Sequence, residues 1–340
     1  DTTWSRGLGD VYKRQALPVD KNFKKLISLM GPTASGKTEL AIRLRKKFPL
    51  EIISVDSAQV YRGFNIGTAK PDANTLKEDP HRLIDIRSAG ESYSVADFIH
   101  DANEAVNEIV SNGRVPILVG GSMLYFKSFL HGIDDLPKAD KKIREFIEEK
   151  AKKEGWPSLH ADLAKVDPVT ANKLHPNHSN RIQRALEVYY QSGTPLSKLQ
   201  NLSVGKSVID LFSVLQIGLT IKDRSILYER IEKRFENMIE EGLLEEVSEL
   251  YAKGDLDLKS PASLLVGYRQ LKEWCCGNLQ LSDSISMSIK ATKNLAKRQL
   301  TWLRGWDDLQ SVSIDFDDRL LTIDELENKV SKMVEDHLLL

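Results

Sequence analysis

Residues 30–38 of this chain read MGPTASGKT, and this stretch decides the fold. From Gly31 onward it has the spacing G-x-x-x-x-G-K-T of a phosphate-binding P-loop. The apolar run LISLM precedes it, as a buried strand would, and the amphipathic pattern TELAIRLRKKF follows it. A strand before the loop and a helix after it argue against a chance match. The sequence therefore predicts a site for a diphosphate or triphosphate group.

The residue types of this loop suit the binding of an anion. Gly31 and Gly36 let the backbone turn tightly, so that successive N–H groups converge on anionic oxygens. The helix that follows presents the positive end of its dipole to the same anion. Lys37 adds a mobile positive charge, and the Thr38 hydroxyl is placed to bind Mg²⁺.

A second stretch, residues 56–71, reads DSAQVYRGFNIGTAKP and follows the next apolar run. We expect that run to be a strand that delivers Asp56 beside the P-loop. From the residues alone, three roles are open to Asp56. It could act as a general base, bind Mg²⁺, or cap a helix together with Ser57.

Apolar runs alternate with helical patterns, which predicts an α/β fold: a P-loop NTPase-like parallel sheet flanked by helices, with a helical insertion domain. Strands are predicted at 26–30, 51–55, 83–86, 115–119, 211–219 and 312–316. Helices are predicted at 37–48, 95–112, 122–130, 223–241, 243–253, 266–276, 285–304 and 323–338. Because parallel strands end at one edge of a sheet, the P-loop, Asp56 and the Gly120-Gly121-Ser122 turn should share one site.

The chain divides into four predicted segments. Residues 1–24 are expected to be a non-native or disordered leader, since DTTWSRGLGDVYKRQ resembles translated adapter sequence. Residues 25–136 form the first part of the predicted α/β core, and residues 206–340 form its second part with C-terminal helices. Residues 137–205 are charged and contain several prolines, which predicts a helical insertion.

Composition limits the function classes. There are 48 basic and 49 acidic residues, so a nucleic-acid surface has to be local. Two adjacent cysteines, Cys275 and Cys276, exclude a disulfide framework and a four-ligand zinc site. No apolar run approaches the length of a membrane span. We expect a cytoplasmic monomer with reduced thiols and no membrane association.

One predicted helix carries a one-sided basic pattern. Residues 290–304 contain five basic residues and no acidic one. On a helical wheel, four of them lie within about 60° of one another: Lys290, Lys293, Lys297 and Arg304. The opposite face, expected to pack, carries Ala291, Leu295, Trp302 and Leu303. A solvated basic face and a surface for a phosphodiester backbone are both compatible with this pattern.

Two arginine pairs on other predicted helices have a similar double interpretation. Arg181 and Arg184 lie at i, i+3 and could extend the basic surface. Arg230 and Arg234 lie at i, i+4 and could both reach an anion. Nearby glutamates make exposed helix ion pairs the alternative for the second pair.

Eight motifs in order resemble those of the bacterial tRNA dimethylallyltransferases, also called tRNA isopentenyltransferases or the IPP transferase family. They are MGPTASGKT, DSAQVYRGFNIGTAKP, HRLIDI, YSVADF, VGGSMLYFKSFLHGI, RALEVY, VGYRQ and AKRQLTWLRGW, and they extend from about residue 26 to residue 306. The resemblance implies transfer of a dimethylallyl group from dimethylallyl diphosphate to N6 of an adenosine. That adenosine lies 3′ to the anticodon in tRNAs that read codons beginning with U.

The resemblance also implies roles for individual residues. The diphosphate, or a nucleotide such as ATP, would bind Gly31, Pro32, Thr33, Ala34, Ser35, Gly36, Lys37 and Thr38. Arg234 would be an additional clamp, with Arg230 as the substitute, and Thr38 would hold Mg²⁺. Asp56 would be the general base that takes the proton of N6, and Ser122 and Lys37 would complete the catalytic set.

Contacts with tRNA are implied for a larger set. The helical insertion would grip the anticodon stem-loop. The residues concerned are Asp56, Ser57, Ala58, Gln59, Ser122, Arg181, Arg184, Gly267, Tyr268, Arg269, Lys297, Arg298, Gln299, Trp302 and Arg304. Two of these depart from the family pattern, since Ser122 replaces the threonine of many members and Gln59 replaces an apolar residue of some.

Four other functions share part of these features. A small-molecule kinase would need an arginine-bearing lid over ATP, and no clean lid motif is present. A P-loop ATPase or GTPase switch would place a Mg²⁺-binding Asp where Asp56 stands. A prenyltransferase for free adenine nucleotides would use the same donor site. An inactive tRNA-binding module would leave Lys37, Thr38 and Asp56 without a role.

Overall fold

Two compact units make up the described part of the chain. The computed structural model describes residues 24–133, 136–137, 139–200, 207–257, 260–317 and 319–339. One unit contains residues up to 93, 101–123 and those from 211 onward, and the other contains 94–100 and 124–210. The expected leader lies outside the described residues except for Lys24.

A six-stranded sheet organises the first unit. All of its paired neighbours are parallel, in the order β3-β2-β4-β1-β5-β6. The strands are β1 (Lys24–Met30), β2 (Leu50–Val55), β3 (His81–Arg82), β4 (Val115–Gly120), β5 (Phe212–Thr220) and β6 (Gln310–Ser313). An antiparallel pair follows, β7 (Asp315–Phe316) with β8 (Arg319–Leu320). The predicted α/β fold with a parallel sheet is confirmed.

Helices connect these strands and make up the second unit. In chain order they are α1 (Lys37–Lys47), α2 (Ala73–Glu78), α3 (Val95–Ser111), α4 (Met123–His131), α5 (Lys141–Glu154), α6 (Trp156–Val166), α7 (Pro168–Ala171), α8 (Ser179–Ser192), α9 (Leu196–Leu199), α10 (Val208–Leu211), α11 (Arg224–Glu240), α12 (Leu243–Ala252), α13 (Tyr268–Cys275), α14 (Leu281–Arg304) and α15 (Ile323–Leu339). No helix within the described ranges is long and apolar enough to cross a membrane.

The strand predicted at 83–86 is wrong. Strand β3 ends at Arg82, because Leu83 and Asp85 have left-handed backbone conformations with φ of 65° and 56°. Such residues cannot continue a ladder. The Asp85 amide instead donates to the Gln59 carbonyl at 3.2 Å, and the Asp85 carboxylate accepts from Lys70 Nζ at 2.6 Å. The segment is therefore bonded to the loop that follows Asp56.

The strand predicted at 312–316 is also divided. Strand β6 ends at Ser313, and Asp315 opens the antiparallel pair. The Asp315 carboxylate accepts from the backbone N–H groups of Lys222 and Asp223 at distances of 2.9–3.1 Å. These bonds hold the loop after β5, and the chain turns at that point instead of continuing the strand.

The core of the first unit lies between the sheet and the helices that cover it. Ile27 and Leu29 of β1 belong to the same buried cluster as Leu40 of α1 and Val330 of α15. All four side chains have no exposed surface. Full burial of such a side chain contributes about 1.5–3 kcal/mol each. This packing fixes β1 and α1, and with them the loop that joins them.

A buried carboxylate organises the second unit. Glu187 is 0% exposed and accepts from Arg144 Nε at 3.0 Å, Arg184 Nη1 at 3.0 Å and the Asp140 amide at 2.8 Å. A buried charge requires such partners because its desolvation is otherwise uncompensated. Arg184 also donates to the Pro137 carbonyl at 2.7 Å. Its guanidinium, expected at a tRNA surface, is therefore engaged within this unit.

The close approach of β4 to β2 makes Gly120 irreplaceable. A Cβ at Gly120 would lie 2.6 Å from the carbonyl carbon of Val55, a backbone atom that cannot rotate away. We expect Gly120→Ala to lower the free energy of unfolding by at least about 3 kcal/mol, measured by urea denaturation. Gly90→Ala is the control, since nothing lies within 4 Å of its Cβ position. Equal stability of the two variants would contradict this account.

Candidate active site

Three strands end in register at one edge of the sheet. Val55 of β2 pairs with Gly120 of β4, and Gly120 pairs with Met30 of β1. Strand β4 thus lies between the strands that carry Asp56 and the P-loop. Asp56 and the P-loop thus follow strands that are two places apart in the sheet, with backbones about 10 Å from each other, and the Asp56 charge still acts on Lys37. The space between them is bordered by a strand end that carries no side chain.

The P-loop backbone forms an anion cradle. Ala34 and Gly36 have φ of 63° and 86°, conformations that turn successive N–H groups inward. Within the described ranges, the backbone N–H groups of five consecutive residues donate to no protein acceptor: Ala34, Ser35, Gly36, Lys37 and Thr38. The Gly31 amide is bonded to the Gly120 carbonyl at 3.3 Å, which fixes the start of the loop. The unused donors fit the oxygens of a diphosphate.

Two cationic side chains at this loop have lowered pKa values. Desolvation, followed by repulsion from Arg234, lowers the pKa of Lys37 from 10.5 to about 7, against the attraction of Asp56. Desolvation also lowers the pKa of Arg234, whose Nη1 lies 3.3 Å from Thr33 Oγ1. Lys37 Nζ donates to the Pro32 carbonyl at 2.5 Å. The site therefore concentrates positive charge that an anion would stabilise.

Arg230 also lies at the P-loop. Its Nη2 is 3.8 Å from the position that a Cβ would take at Gly36. The Arg230 side chain is exposed. The structure thus brings the predicted clamp, Arg234, to the loop at Thr33, and its substitute, Arg230, to the loop at Gly36.

The Asp56 carboxylate is oriented by its own turn. Its Oδ1 accepts from the backbone N–H groups of Ala58 at 2.8 Å and Gln59 at 3.3 Å, as in an Asx turn. Its Oδ2 has no partner in the part of the chain that the structure describes. One oxygen is therefore held by the backbone, while the other is available to a substrate. Residues 57–60 form turns, so the helix that Asp56 could have capped is not present.

Ser122 joins the loops that follow β4 and β2. Its Oγ accepts from the Ser57 backbone N–H at 3.1 Å and lies 3.5 Å from Ser57 Oγ. Its own N–H donates to the Val55 carbonyl at 3.2 Å. The Ser57 backbone thus holds the hydroxyl, and the Val55 carbonyl holds the Ser122 backbone.

Gln59 holds the remainder of the Asp56 segment. Its Oε1 accepts from Ser54 Oγ at 3.1 Å, and its Nε2 donates to the carbonyls of Thr68 and Ala69 at 3.4 and 3.2 Å. Because both ends of the amide are engaged, this glutamine links β2 to the far side of the loop. An apolar residue at this position could not make these bonds.

Glu246 of α12 is a supporting residue that the sequence analysis missed. Its carboxylate accepts from the backbone N–H groups of Asn65, Ile66 and Gly67 at 2.8–3.2 Å. It also accepts from the Tyr268 hydroxyl at 2.6 Å. Glu246 lies among ordinary helix glutamates in the sequence EGLLEEV, so nothing local distinguishes it.

Tyr268 is placed in the core. It is 1% exposed and packs edge-on against Phe64, with ring centroids 4.9 Å apart. Burial, followed by the charge of Glu246, raises the pKa of its hydroxyl. The neighbouring Arg269 is exposed, whereas Gly267 is buried. Within the segment 267–269, which was expected to bind tRNA, Arg269 is therefore the residue with an exposed side chain.

The basic helix α14 differs from its helical wheel in two respects. Lys293 is half-buried and bonded to Glu232 Oε1 at 2.5 Å, so it leaves the cationic stripe. Trp302, predicted to pack, is 38% exposed. Exposed basic side chains remain at Lys290, Lys297, Arg298 and Arg304.

Gln299 on the same helix faces inward. It is 7% exposed, its Oε1 accepts from the Thr33 N–H at 2.9 Å, and its Nε2 donates to the Gly121 carbonyl at 3.0 Å. This side chain was expected to contact tRNA. In the structure both of its polar ends bond to backbone groups inside the first unit.

The sheet and its cradle define a P-loop-like α/β protein with a candidate anion site. Residues 59–306, more than half of the 340-residue chain, match the family of IPP transferases. The chain belongs to this family, and it is a prenyltransferase.

Solved structures of similar chains agree with this assignment. The full-length tRNA isopentenylpyrophosphate transferase from Bacillus halodurans is 36% identical, with 92% of this chain and 98% of that chain covered and a TM-score of 0.64. The tRNA delta(2)-isopentenylpyrophosphate transferase from Staphylococcus epidermidis is 31% identical over 92% and 99% of the two chains, with a TM-score of 0.65. A eukaryotic dimethylallyltransferase acting on tRNA is 28% identical over 85% and 74%, with a TM-score of 0.72. The family resemblance inferred from the motifs is confirmed.

The lowered pKa of Lys37 predicts a pH-dependent stability. Between pH 7 and 10.5 the unfolded chain binds more protons at this side chain than the folded chain does. Its destabilising effect is therefore full below pH 7 and disappears toward pH 10.5. We expect the free energy of unfolding of the wild type, relative to Lys37→Met, to rise across this interval in urea denaturation. A constant difference would contradict the shift.

The bonds of Glu246 predict a large loss of stability on truncation. Glu246→Ala removes the acceptor of three backbone N–H groups and one hydroxyl. We expect the free energy of unfolding to fall by about 3 kcal/mol in urea denaturation. Glu245→Ala, an exposed neighbour on the same helix turn, should cost less than about 1 kcal/mol. Equal losses would show that the loop does not depend on Glu246.

Proposed function

We propose that this protein transfers a dimethylallyl group from dimethylallyl diphosphate to N6 of an adenosine in tRNA, 3′-adjacent to the anticodon in tRNAs that read U-initial codons. The observation that carries the proposal is the pairing of an anion cradle with an oriented carboxylate at one sheet edge. Family membership and the tRNA-acting neighbours support the choice of donor and acceptor.

The P-loop is the proposed donor site. Its five unused N–H groups, Lys37 and Arg234 suit the diphosphate, and they stabilise the charge that develops when it leaves. Mg²⁺, held by the Thr38 hydroxyl and diphosphate oxygens, would offset further negative charge. The hydroxyl is available for this, since it donates to no acceptor among the described residues. Binding of the anion would also restore the charge on Lys37.

The loop after β2 is the proposed acceptor site. The N6 lone pair attacks C1 of the dimethylallyl group, the C1–O bond to diphosphate breaks, and the nitrogen becomes cationic. Asp56 Oδ2 takes the proton from that nitrogen. Because Oδ1 is held by two backbone N–H groups, the carboxylate keeps its direction without a further side chain. Ser122 contributes a fixed hydroxyl next to the base.

Exposed basic side chains supply the proposed RNA contacts. In the first unit they are Lys297, Arg298 and Arg304 of α14 with Arg269, and the exposed Trp302 offers a surface for stacking. In the second unit, Arg181 is exposed. We propose that this unit binds the anticodon stem-loop. A target base that is stacked in the loop has to be extruded before it can reach Asp56.

The test is prenyl transfer with labelled dimethylallyl diphosphate, Mg²⁺ and unmodified tRNA that reads a U-initial codon, with AMP as the alternative acceptor. We expect label in tRNA and none in AMP. Asp56→Asn should lower kcat by about 10²–10⁴-fold, because the amide oxygen keeps the bonds of the turn but the side chain cannot accept the proton. Asp72→Asn is the matched control, since Asp72 caps α2 through the Thr75 N–H at 2.9 Å.

Two outcomes would overturn the proposal. ATP consumption with a small acceptor and no label in tRNA would identify a kinase. Label in AMP at a rate equal to that in tRNA would identify a prenyltransferase for free nucleotides. Equal activity of Asp56→Asn and the wild type would remove Asp56 from the mechanism while leaving the transfer itself intact.

A further inference from the structure

The buried amide of Gln299 joins the P-loop to the turn that follows β4. Its Oε1 accepts from the N–H of Thr33, inside the anion cradle. Its Nε2 donates to the carbonyl of Gly121, in the turn that precedes Ser122. These two backbone groups follow β1 and β4, two adjacent strands. One side chain on α14 therefore bonds to both loops simultaneously.

Gly121 leaves the space that this amide occupies. A Cβ at Gly121 would collide with Nε2 of Gln299 and would approach the Gly31 carbonyl to 3.3 Å. The glycine and the glutamine are thus sterically complementary. A smaller polar residue on α14 could not span both bonds, and a larger residue in the turn would displace the amide.

We propose that Gln299 is a positioning residue that sets the distance between the diphosphate cradle and the acceptor loop. The inference rests on the proposed prenyl transfer. Thr33 lies on the donor side, and it also meets Arg234 Nη1 at 3.3 Å. Gly121 leads into Ser122, whose Oγ holds the Ser57 N–H next to Asp56. The Gln299 amide closes the connection between the leaving group and the base.

Positioning of this kind acts on the chemical step. If the two loops separate, the N6 nitrogen and C1 of the donor are no longer held at bonding approach, although each substrate still has its own contacts. A misplacement of about 1 Å can lower the rate about 100-fold. If Gln299 instead contacts tRNA directly, as the family resemblance implies, its loss would weaken tRNA binding and leave the rate at saturation unchanged.

The experiment measures kcat and both KM values for Gln299→Ala, Gln299→Glu and Gly121→Ala. We expect Gln299→Ala to lower kcat by about 10–100-fold with little change in KM for tRNA. In Gln299→Glu the carboxylate still accepts from Thr33 but cannot donate to Gly121, and its charge should raise KM for dimethylallyl diphosphate. Adding Gly121→Ala to Gln299→Ala should cause no further loss, because both changes remove the same bridge.

A matched control separates positioning from stability. Gln216 of β5 is 8% exposed and accepts from Trp306 Nε1 at 2.8 Å, so Gln216→Ala also removes a buried glutamine hydrogen bond. We expect it to lose similar stability in urea denaturation and to retain kcat. Equal kcat losses for the two alanine variants would overturn the inference and leave a structural role.

Two further outcomes are distinct. A raised KM for tRNA with unchanged kcat in Gln299→Ala would also overturn the inference, in favour of a direct RNA contact. Absence of transfer in the wild type would refute the proposed function instead. In that case calorimetric binding of inorganic diphosphate to the wild type and Gln299→Glu still reports on the Thr33 side of the bridge. Unchanged affinity in the variant would count against it.

Discussion

The site depends on a strand end without side chains. Strand β4 lies between the strands that carry the P-loop and Asp56; it ends at Gly120, and Gly121 follows it. Any side chain at Gly120 would strike the backbone of Val55, and one at Gly121 would displace the amide of Gln299. Only backbone atoms therefore lie between the positively charged P-loop and the loop that carries Asp56. Reacting groups held on either side would meet above this backbone.

The electrostatics of this edge follow from the same arrangement. Lys37 and Arg234 share the donor side, where desolvation is the main cause that lowers both pKa values; repulsion from Arg234 adds to it for Lys37, and repulsion from Arg230 adds to it for Arg234. The Asp56 carboxylate attracts both side chains, but it lies on the loop after β2, two strands away from the P-loop. The donor side thus has an excess of positive charge that a bound diphosphate would neutralise. Such an excess in a partly desolvated site favours strong binding of an anion.

Loops of this length need supports, and here the supports are polar. Glu246 binds three consecutive backbone N–H groups of the segment after Asp56, and Gln59 closes that segment onto β2. Gln299 does the same for the P-loop and the Gly121 turn. Each support bonds to backbone groups, and Glu246 and Gln59 each accept one further bond from a side-chain hydroxyl. Backbone amides left without partners in such loops would cost about 1–3 kcal/mol each.

The sequence by itself determined the class of fold and the principal loop. The spacing from Gly31 to Thr38, with a strand before it and a helix after it, was sufficient because phosphate binding by backbone is a local property. Hydrophobic periodicity similarly located most helices and strands. It failed at 83–86, where left-handed residues and a bond from Lys70 to Asp85 override an apolar pattern.

Only the tertiary structure decided which strands are adjacent and which groups each polar side chain contacts. The order of strands put β4 between β1 and β2, and no local pattern encodes which strand inserts where. Burial turned Tyr268 and Gln299, expected to contact RNA, into internal supports, and it revealed Glu246 among unremarkable glutamates. The physical reason is the same in each case. A polar side chain can bond to many different donors and acceptors. Only the packing of the folded chain determines which of them lie within hydrogen-bond distance.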